Sequence, residues 1–141
     1  MKTSILIGLS RQRIGVDGAG VTTLVAFHGC PLRCKYCLNP QALSSMCVWK
    51  RFSPEELFRE ICKDDLYFRA MGGVTFGGGE PLLSYKEILQ FKKLCSENGK
   101  HWKINIETSL NVPEAWVKEM EGVIDHWIVD IKDINAAIYG L

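Results

Sequence analysis

The 141-residue chain is long enough to bury the core of one domain, and its 47% hydrophobic and 23% charged residues are typical of a globular protein. The 17 basic and 16 acidic residues leave a formal net charge of +1, which provides no electrostatic attraction to nucleic acid or to an anionic membrane. No apolar run approaches the roughly 18–20 residues that span a bilayer, and the apolar stretch near the amino terminus is too short for a signal peptide. We therefore expect a cytoplasmic protein that has neither nucleic acid nor a membrane as its partner.

Five segments are predicted to be β-strands because they are rich in apolar and β-branched residues. In chain order they are Ile5–Leu9, Val21–His28, Gly73–Phe76, Lys103–Glu107 and His126–Ile131.

Three helices are predicted between these strands. Ser53 is a helix-capping residue followed by a proline and two glutamates, which is a typical helix start. The segment Tyr85–Asn98 has its apolar residues at helical spacing and is followed by a glycine that ends the helix, and Pro113–Met120 is the third helix.

Alternating strands and helices predict an α/β fold with a parallel sheet. At roughly 30 or more residues per βα unit the length allows about four units, which excludes a closed barrel of eight. We expect a single domain over residues 1–141, and the stop at Tyr139-Gly140-Leu141, directly after a strand, suggests a chain truncated on its C-terminal side.

The carboxyl ends of the predicted strands carry the unusual residues of the chain. A cysteine-rich loop follows the Val21–His28 strand, and a glycine turn at residues 77–79 with Glu80 follows the next strand. The pairs Glu107-Thr108 and Asp130/Lys132 end the last two strands. Because ligands bind at the carboxyl ends of parallel strands, we expect these residues to form one site.

The cysteine motif is C-x3-C-x2-C, formed by Cys30, Cys34 and Cys37. Three thiolates can hold three irons of a 4Fe–4S cluster and leave the fourth iron open to a chelating substrate. A zinc site is the alternative, with His28, Cys47 or an outside group as its fourth ligand. A redox-active C-x2-C pair would leave Cys30 unexplained.

The remaining cysteines Cys47, Cys62 and Cys95 are predicted to be structural, because free cysteine is usually a small buried hydrophobic residue. A secreted disulfide framework is disfavoured by the lack of an export signal and by the clustering of three cysteines within eight residues.

The chain resembles the radical S-adenosylmethionine (SAM) superfamily, and more narrowly the glycyl-radical-enzyme activating enzymes. The resemblance is carried by segments that follow the order of that family: Asp17–Gly20, Phe27–Pro40, Lys63-Asp64, Tyr67-Phe68, Gly72–Leu83 and Asp130–Lys132. It implies a partial (β/α) barrel of the radical SAM type. Only Cys47 and Cys62 lie where longer activases carry extra clusters, so one cluster is expected.

The resemblance also implies a reaction. The open iron would bind the amino and carboxylate groups of SAM, and one electron from the cluster would break the bond between sulfur and the ribose carbon. The 5′-deoxyadenosyl radical would then take hydrogen from a glycine of a partner, a glycyl radical enzyme. A flavodoxin or ferredoxin-like protein would supply the electron.

Residue roles follow from the same resemblance. Cys30, Cys34 and Cys37 would hold the cluster, and Lys132 would contact the methionyl carboxylate of SAM. Tyr36 would pack on the adenine, and Gly78, Gly79 and Glu80 would serve the methionyl amino group. Glu107, Thr108 and Asp130 would match a monovalent-cation site, since oxygen donors suit a hard cation.

The sequence departs from the family's pattern at three places near this site. Glu107 stands where the family often has aspartate, Gly77 where serine is common, and Ser109-Leu110-Asn111 where an Asn-Gly turn is usual. The alternative functions are another radical enzyme with the same core, such as an anaerobic ribonucleotide reductase activase or a peptide-modifying enzyme, and a non-catalytic zinc- or cluster-binding module or inactive fragment.

Overall fold

The fold is described by a computed structural model, which covers residues 3–135 and residue 137. Within these residues a six-stranded sheet runs in the order β3-β1-β2-β4-β5-β6. The strands are β1 Ser4–Ile14, β2 Val21–Phe27, β3 Lys50–Phe52, β4 Gly73–Gly78, β5 Lys103–Thr108 and β6 His126–Val129. The predicted chain end at Tyr139-Gly140-Leu141 lies outside the described residues.

The sheet has a parallel part and an antiparallel part. Strands β2, β4, β5 and β6 are parallel neighbours, as predicted. Strand β1 pairs antiparallel with both β2 and β3, so the sheet is mixed rather than purely parallel. The three-residue strand β3 was not predicted, because Lys50 and Arg51 are charged and exposed and the strand is defined only by its pairing with β1.

Four α-helices are present in the described residues: α1 Pro54–Ile61, α2 Asp65–Phe68, α3 Tyr85–Glu97 and α4 Glu114–Met120. At the start of α1, the hydroxyl of Ser53 accepts a hydrogen bond from the backbone N–H of Glu56, whose carboxylate accepts one from the backbone N–H of Ser53. This reciprocal cap satisfies two N–H groups that would otherwise lack partners. The three predicted helices are confirmed, and only the short α2 was missed.

The hydrophobic core lies between the helices and one face of the sheet. Phe91 of α3 is fully buried and packs edge-on against Phe76 of β4, with ring centroids 5.5 Å apart. Cys95 is also fully buried, as predicted. Cys47 is exposed in the loop between β2 and β3, so the prediction that it is a buried structural cysteine was wrong.

The opposite face of the parallel strands carries a polar network near their amino ends. Asp17, which is 1% exposed, accepts hydrogen bonds from the Arg13 guanidinium, at 2.5 Å, and from the Thr22 hydroxyl. The Thr75 hydroxyl donates to the Asp17 carbonyl at 2.8 Å. Asp17 therefore ties the turn between β1 and β2 to strand β4, which is a structural role for the Asp17–Gly20 motif.

Candidate active site

A cleft of about 310 Å³ lies at the carboxyl ends of β2, β4, β5 and β6. Four segments line it, and they include every residue to which the sequence analysis assigns a role in binding the cluster, SAM or a cation; of the glycine turn at residues 77–79, only Gly77 is not part of the lining. The lining residues are Cys30, Leu32, Cys34 and Tyr36–Asn39 from the loop after β2; Gly78–Glu80; Glu107–Ser109; and Ile128, Asp130 and Lys132.

The loop that carries the three cysteines is fixed to the body of the protein by its own backbone. The His28 backbone N–H donates to the Ile5 carbonyl at 2.9 Å, and Gly29 N–H donates to the Ala42 carbonyl at 2.7 Å. The His28 ring nitrogen Nε2 lies 2.9 Å from the Ser44 carbonyl oxygen. His28 is therefore occupied in holding the loop, and it does not line the cleft.

The three thiols of the motif are free and face the same cleft. Burial raises the pKa of the Cys30 thiol, and the nearby Glu80, Cys34 and Cys37 raise it further, against a backbone hydrogen bond from Leu32 that lowers it. Crowding of negative groups around one thiol disfavours thiolates unless a cation compensates them. A cationic metal centre would supply that compensation, and three free thiols on one loop facing one cleft are the kind of donor set that holds an iron–sulfur cluster.

The thiols do not already form a closed ligand shell. Within residues 3–135 and 137, no three His, Cys, Asp or Glu side chains are grouped closely enough to hold a metal ion. Ligation by Cys30, Cys34 and Cys37 therefore remains a prediction that rests on their spacing, their free thiols and the shared cleft.

The glycine turn is packed against the start of the cysteine loop. Gly78 has a φ of +91°, which favours glycine. A Cβ atom added at Gly79 would lie 2.0 Å from the carbonyl oxygen of Gly29. These contacts show that the chain's own backbone, and not only a ligand, requires glycine at these two positions.

Glu80 joins the glycine turn to the end of β5. Its side chain is almost fully buried and accepts four hydrogen bonds, two on each carboxylate oxygen. One oxygen accepts from Leu82 N–H at 3.1 Å and from the Thr108 hydroxyl at 2.7 Å. The other accepts from the backbone N–H and the hydroxyl of Ser109, at 3.1 and 3.0 Å. The carboxylate is thus occupied by the protein's own donors.

Glu107 is the other glutamate of the cleft and has different surroundings. Burial raises the pKa of its carboxyl, and the negative charge of Asp17 raises it further, while Arg13 acts in the opposite direction. Thr108 beside it is buried, and its hydroxyl oxygen accepts a hydrogen bond from Leu110 N–H at 3.0 Å in addition to donating to Glu80.

The segment after β6 contributes an ion pair to the cleft. The ammonium of Lys132 donates a hydrogen bond to the carboxylate of Asp130 and lies 5.2 Å from the centre of the Tyr36 ring. Burial lowers the pKa of Lys132, but the hydrogen bond to Asp130 and the nearby Asp130, Cys34 and Tyr36 groups raise it above its ordinary value. The ammonium therefore stays charged beside the cysteine loop.

Some cleft residues were not predicted as site residues, namely Leu32, Leu38, Asn39, Ser109 and Ile128. The sequence positions of two of them could have indicated that they belong to the site. Ile128 lies two residues before Asp130 and so on the same face of the strand, and Ser109 directly follows Thr108. Asn39 donates from its amide to the Gly78 carbonyl at 3.3 Å, a contact between residues 39 positions apart that the sequence does not indicate.

Residues 16–132 match a family described as a 4Fe-4S single cluster domain. The chain belongs to this family, a 4Fe–4S domain of the radical SAM type, so the resemblance noted in the sequence is confirmed. In the described residues, no helix has the length and apolar character required to cross a membrane.

The most similar relatives include pyruvate formate-lyase-activating enzymes. That of Clostridium pasteurianum is 45% identical over 124 residues, covering 85% of this chain and 49% of its own length. That of Listeria monocytogenes is 36% identical over 126 residues, covering 85% and 50%. The Escherichia coli pyruvate formate-lyase 2-activating enzyme is 28% identical over 152 residues, covering 85% and 51%. The chain thus spans about half the length of these relatives.

A solved structure supports the fold. The crystal structure of QueE from Escherichia coli is similar with a TM-score of 0.57 and 20% sequence identity, over 76% of this chain and 53% of that one. The predicted α/β fold of the partial-barrel type is confirmed.

Proposed function

We propose that this chain is a single domain over residues 1–141 that binds one 4Fe–4S cluster and SAM, and that it serves to install a glycyl radical on a partner enzyme. The observation that carries the proposal is the cleft, which is lined by three free thiols, a glycine turn and a lysine–aspartate pair. The names of the relatives, which are activating enzymes for pyruvate formate-lyase, support the choice of reaction.

In this proposal Cys30, Cys34 and Cys37 hold three irons and leave the fourth to the amino and carboxylate groups of SAM. When bound, the reduced cluster supplies the single electron that cleaves the bond between the sulfur and the ribose carbon of SAM, so that a hydrogen atom taken from the partner's glycine yields 5′-deoxyadenosine and a glycyl radical. The protein contributes binding, orientation and the exclusion of water.

The remaining cleft residues act on SAM through their charge and shape. The Lys132 ammonium is the cation for the methionyl carboxylate, and its ion pair with Asp130 keeps it charged and oriented. Tyr36 offers an aromatic ring for the adenine, because its side chain is 66% exposed at the cleft. The backbone of Gly78 and Gly79 serves the methionyl amino group, and Glu80 supports it by fixing the turn.

A monovalent cation is part of the proposal. Glu107 and Thr108 at the end of β5, and Asp130 directly after β6, offer carboxylate and hydroxyl oxygens at the cleft, and oxygen donors suit a hard cation. A glycyl radical enzyme as substrate and a flavodoxin or ferredoxin-like electron donor complete the proposed set of partners.

The test begins with anaerobic reconstitution of the full chain with iron and sulfide. We expect a brown protein with about four irons per chain, which forms 5′-deoxyadenosine from SAM after reduction. Cys34→Ala is expected to lose the cluster, because two thiolates cannot hold the cubane. Cys47→Ala is the matched control, since Cys47 is exposed and lies outside the cleft.

Other outcomes identify the alternatives. Stoichiometric zinc without iron, or unchanged 5′-deoxyadenosine formation by Cys34→Ala, would overturn the cluster assignment. A cluster without SAM cleavage would indicate an inactive cluster-binding fragment. SAM cleavage with no glycyl radical signal in electron paramagnetic resonance, when pyruvate formate-lyase is added, would point to a different radical enzyme.

A further inference from the structure

Gly77 of β4 and Glu107 of β5 are neighbours in the sheet. Phe76 of β4 pairs with Ile106 of β5 in a parallel register, so Gly77 and Glu107 follow side by side. The same row of the sheet continues to Ala26 of β2 on one side and to Ile128 of β6 on the other. Gly77 and Glu107 therefore share one face of the sheet, and Glu107 also lines the cleft.

The side chain of Glu107 fills the space that a side chain at position 77 would need. A Cβ atom added at Gly77 would lie 2.9 Å from Oε2 of Glu107 and 3.1 Å from Cδ1 of Leu24. Both distances are shorter than ordinary van der Waals contacts. The backbone of Gly77 does not have the positive φ of Gly78, so its conformation alone does not demand glycine. A side chain at position 77 would therefore displace the end of the Glu107 side chain from the position that it holds here.

The carboxylate of Glu107, which occupies this space, is available to a ligand. Glu107 lines the cleft, and none of the side chains or backbone groups in residues 3–135 and 137 donates a hydrogen bond to it. This distinguishes Glu107 from Glu80, whose four acceptor positions are taken by the protein.

We propose that Gly77 is a specificity-determining residue, which acts with Glu107 of the cleft as a matched pair. The missing side chain at position 77 leaves the Glu107 carboxylate where it stands, and that position sets where the proposed cation, and with it the adenosyl ligand, is seated. An acid shorter by one methylene group at position 107 would relieve the contact with a side chain at position 77. The choice of ligand rests on the proposed function.

The experiment is a double-mutant cycle on the reconstituted full chain. The variants are Gly77→Ala, Glu107→Asp and their combination, and the probe is S-adenosylhomocysteine, which cannot be cleaved reductively as SAM is. Gly8→Ala is the control, because Gly8 also lies in a strand and an added Cβ atom there meets nothing within 4 Å. Calorimetry measures the Kd, and urea unfolding measures stability.

We expect Gly77→Ala alone to weaken binding by about fivefold or more and the added Glu107→Asp to recover most of that loss, since contacting residues show non-additive effects of this size. The same rescue is expected in stability. Losses that simply add in both measurements, or a Gly77→Ala variant that matches Gly8→Ala, would overturn the pairing. A parent protein that forms no complex with S-adenosylhomocysteine would overturn the proposed function and the ligand-seating role together, while rescue in stability would still support the steric match.

Discussion

Replacing Glu80 with glutamine changes one heavy atom in the most heavily hydrogen-bonded side chain of the cleft. One carboxylate oxygen becomes an NH2 group, which then faces one backbone N–H that needs an acceptor, from Leu82 or Ser109, and one hydroxyl that can turn to accept, from Thr108 or Ser109. A hydrogen bond to a charged group contributes about 1.5–3 kcal/mol and a neutral one about 0.5–1.5 kcal/mol, so losing one bond and the charge behind the other three predicts a destabilisation of about 3 kcal/mol or more. That is a large part of the roughly 5–15 kcal/mol by which a domain is stable.

The assay is equilibrium unfolding in urea, with Glu119→Gln as the matched control. Glu119 is an exposed residue of α4, so its replacement is expected to change stability by less than about 0.5 kcal/mol. Ser109→Ala is expected to destabilise the native protein by about 1 kcal/mol, and by less when Glu80 is already glutamine. If Glu80→Gln unfolds at the same urea concentration as Glu119→Gln, the four-bond account of Glu80 is wrong.

Two further predictions concern titration and thiol reactivity. The pKa of Glu107 is raised in the folded state, so ionisation of this carboxyl destabilises the folded protein as pH rises through that pKa. Glu107→Gln should therefore reduce the loss of thermal stability between about pH 4 and pH 8, and a pH profile of the melting temperature identical to that of the parent protein would contradict this. Burial raises the pKa of Cys95 to about 12, whereas Cys47 is exposed, so iodoacetamide at about pH 8 should label Cys47 and spare Cys95. Mass spectrometry of the native protein checks the second prediction, and labelling of Cys95 at the rate of Cys47 would refute it.

The parts of the fold that depend on nearby residues were predictable from the sequence. The serine cap and the two glutamates that start α1 lie within four consecutive residues, and the helix begins where they predict. The apolar strands β2, β4 and β5 were also found, because their core-facing side chains require burial whichever neighbour covers them. Strand β6 was found from its apolar composition, although its side chains are only partly buried or exposed.

The parts that depend on distant partners were not predictable. Strand β3 exists because Lys50–Phe52 pairs with Ser4–Leu6, and its own composition does not favour a strand. In the site, the sequence indicated which residues gather at the carboxyl ends of the strands, but not that Glu80 would be occupied by Thr108 and Ser109, 28 and 29 residues further along. Nor did it indicate that Glu107 would lie over Gly77.

The glycine turn and the cysteine loop are joined by two main-chain hydrogen bonds, from Gly79 N–H to the Phe27 carbonyl at 2.9 Å and from Glu80 N–H to the Gly29 carbonyl at 2.8 Å. If a group that orders the loop raises the affinity of a ligand at the turn, thermodynamic reciprocity requires that ligand to raise the affinity of the group by the same factor. Slower hydrogen exchange at the Gly79 and Glu80 amides would report the binding of a ligand to either segment.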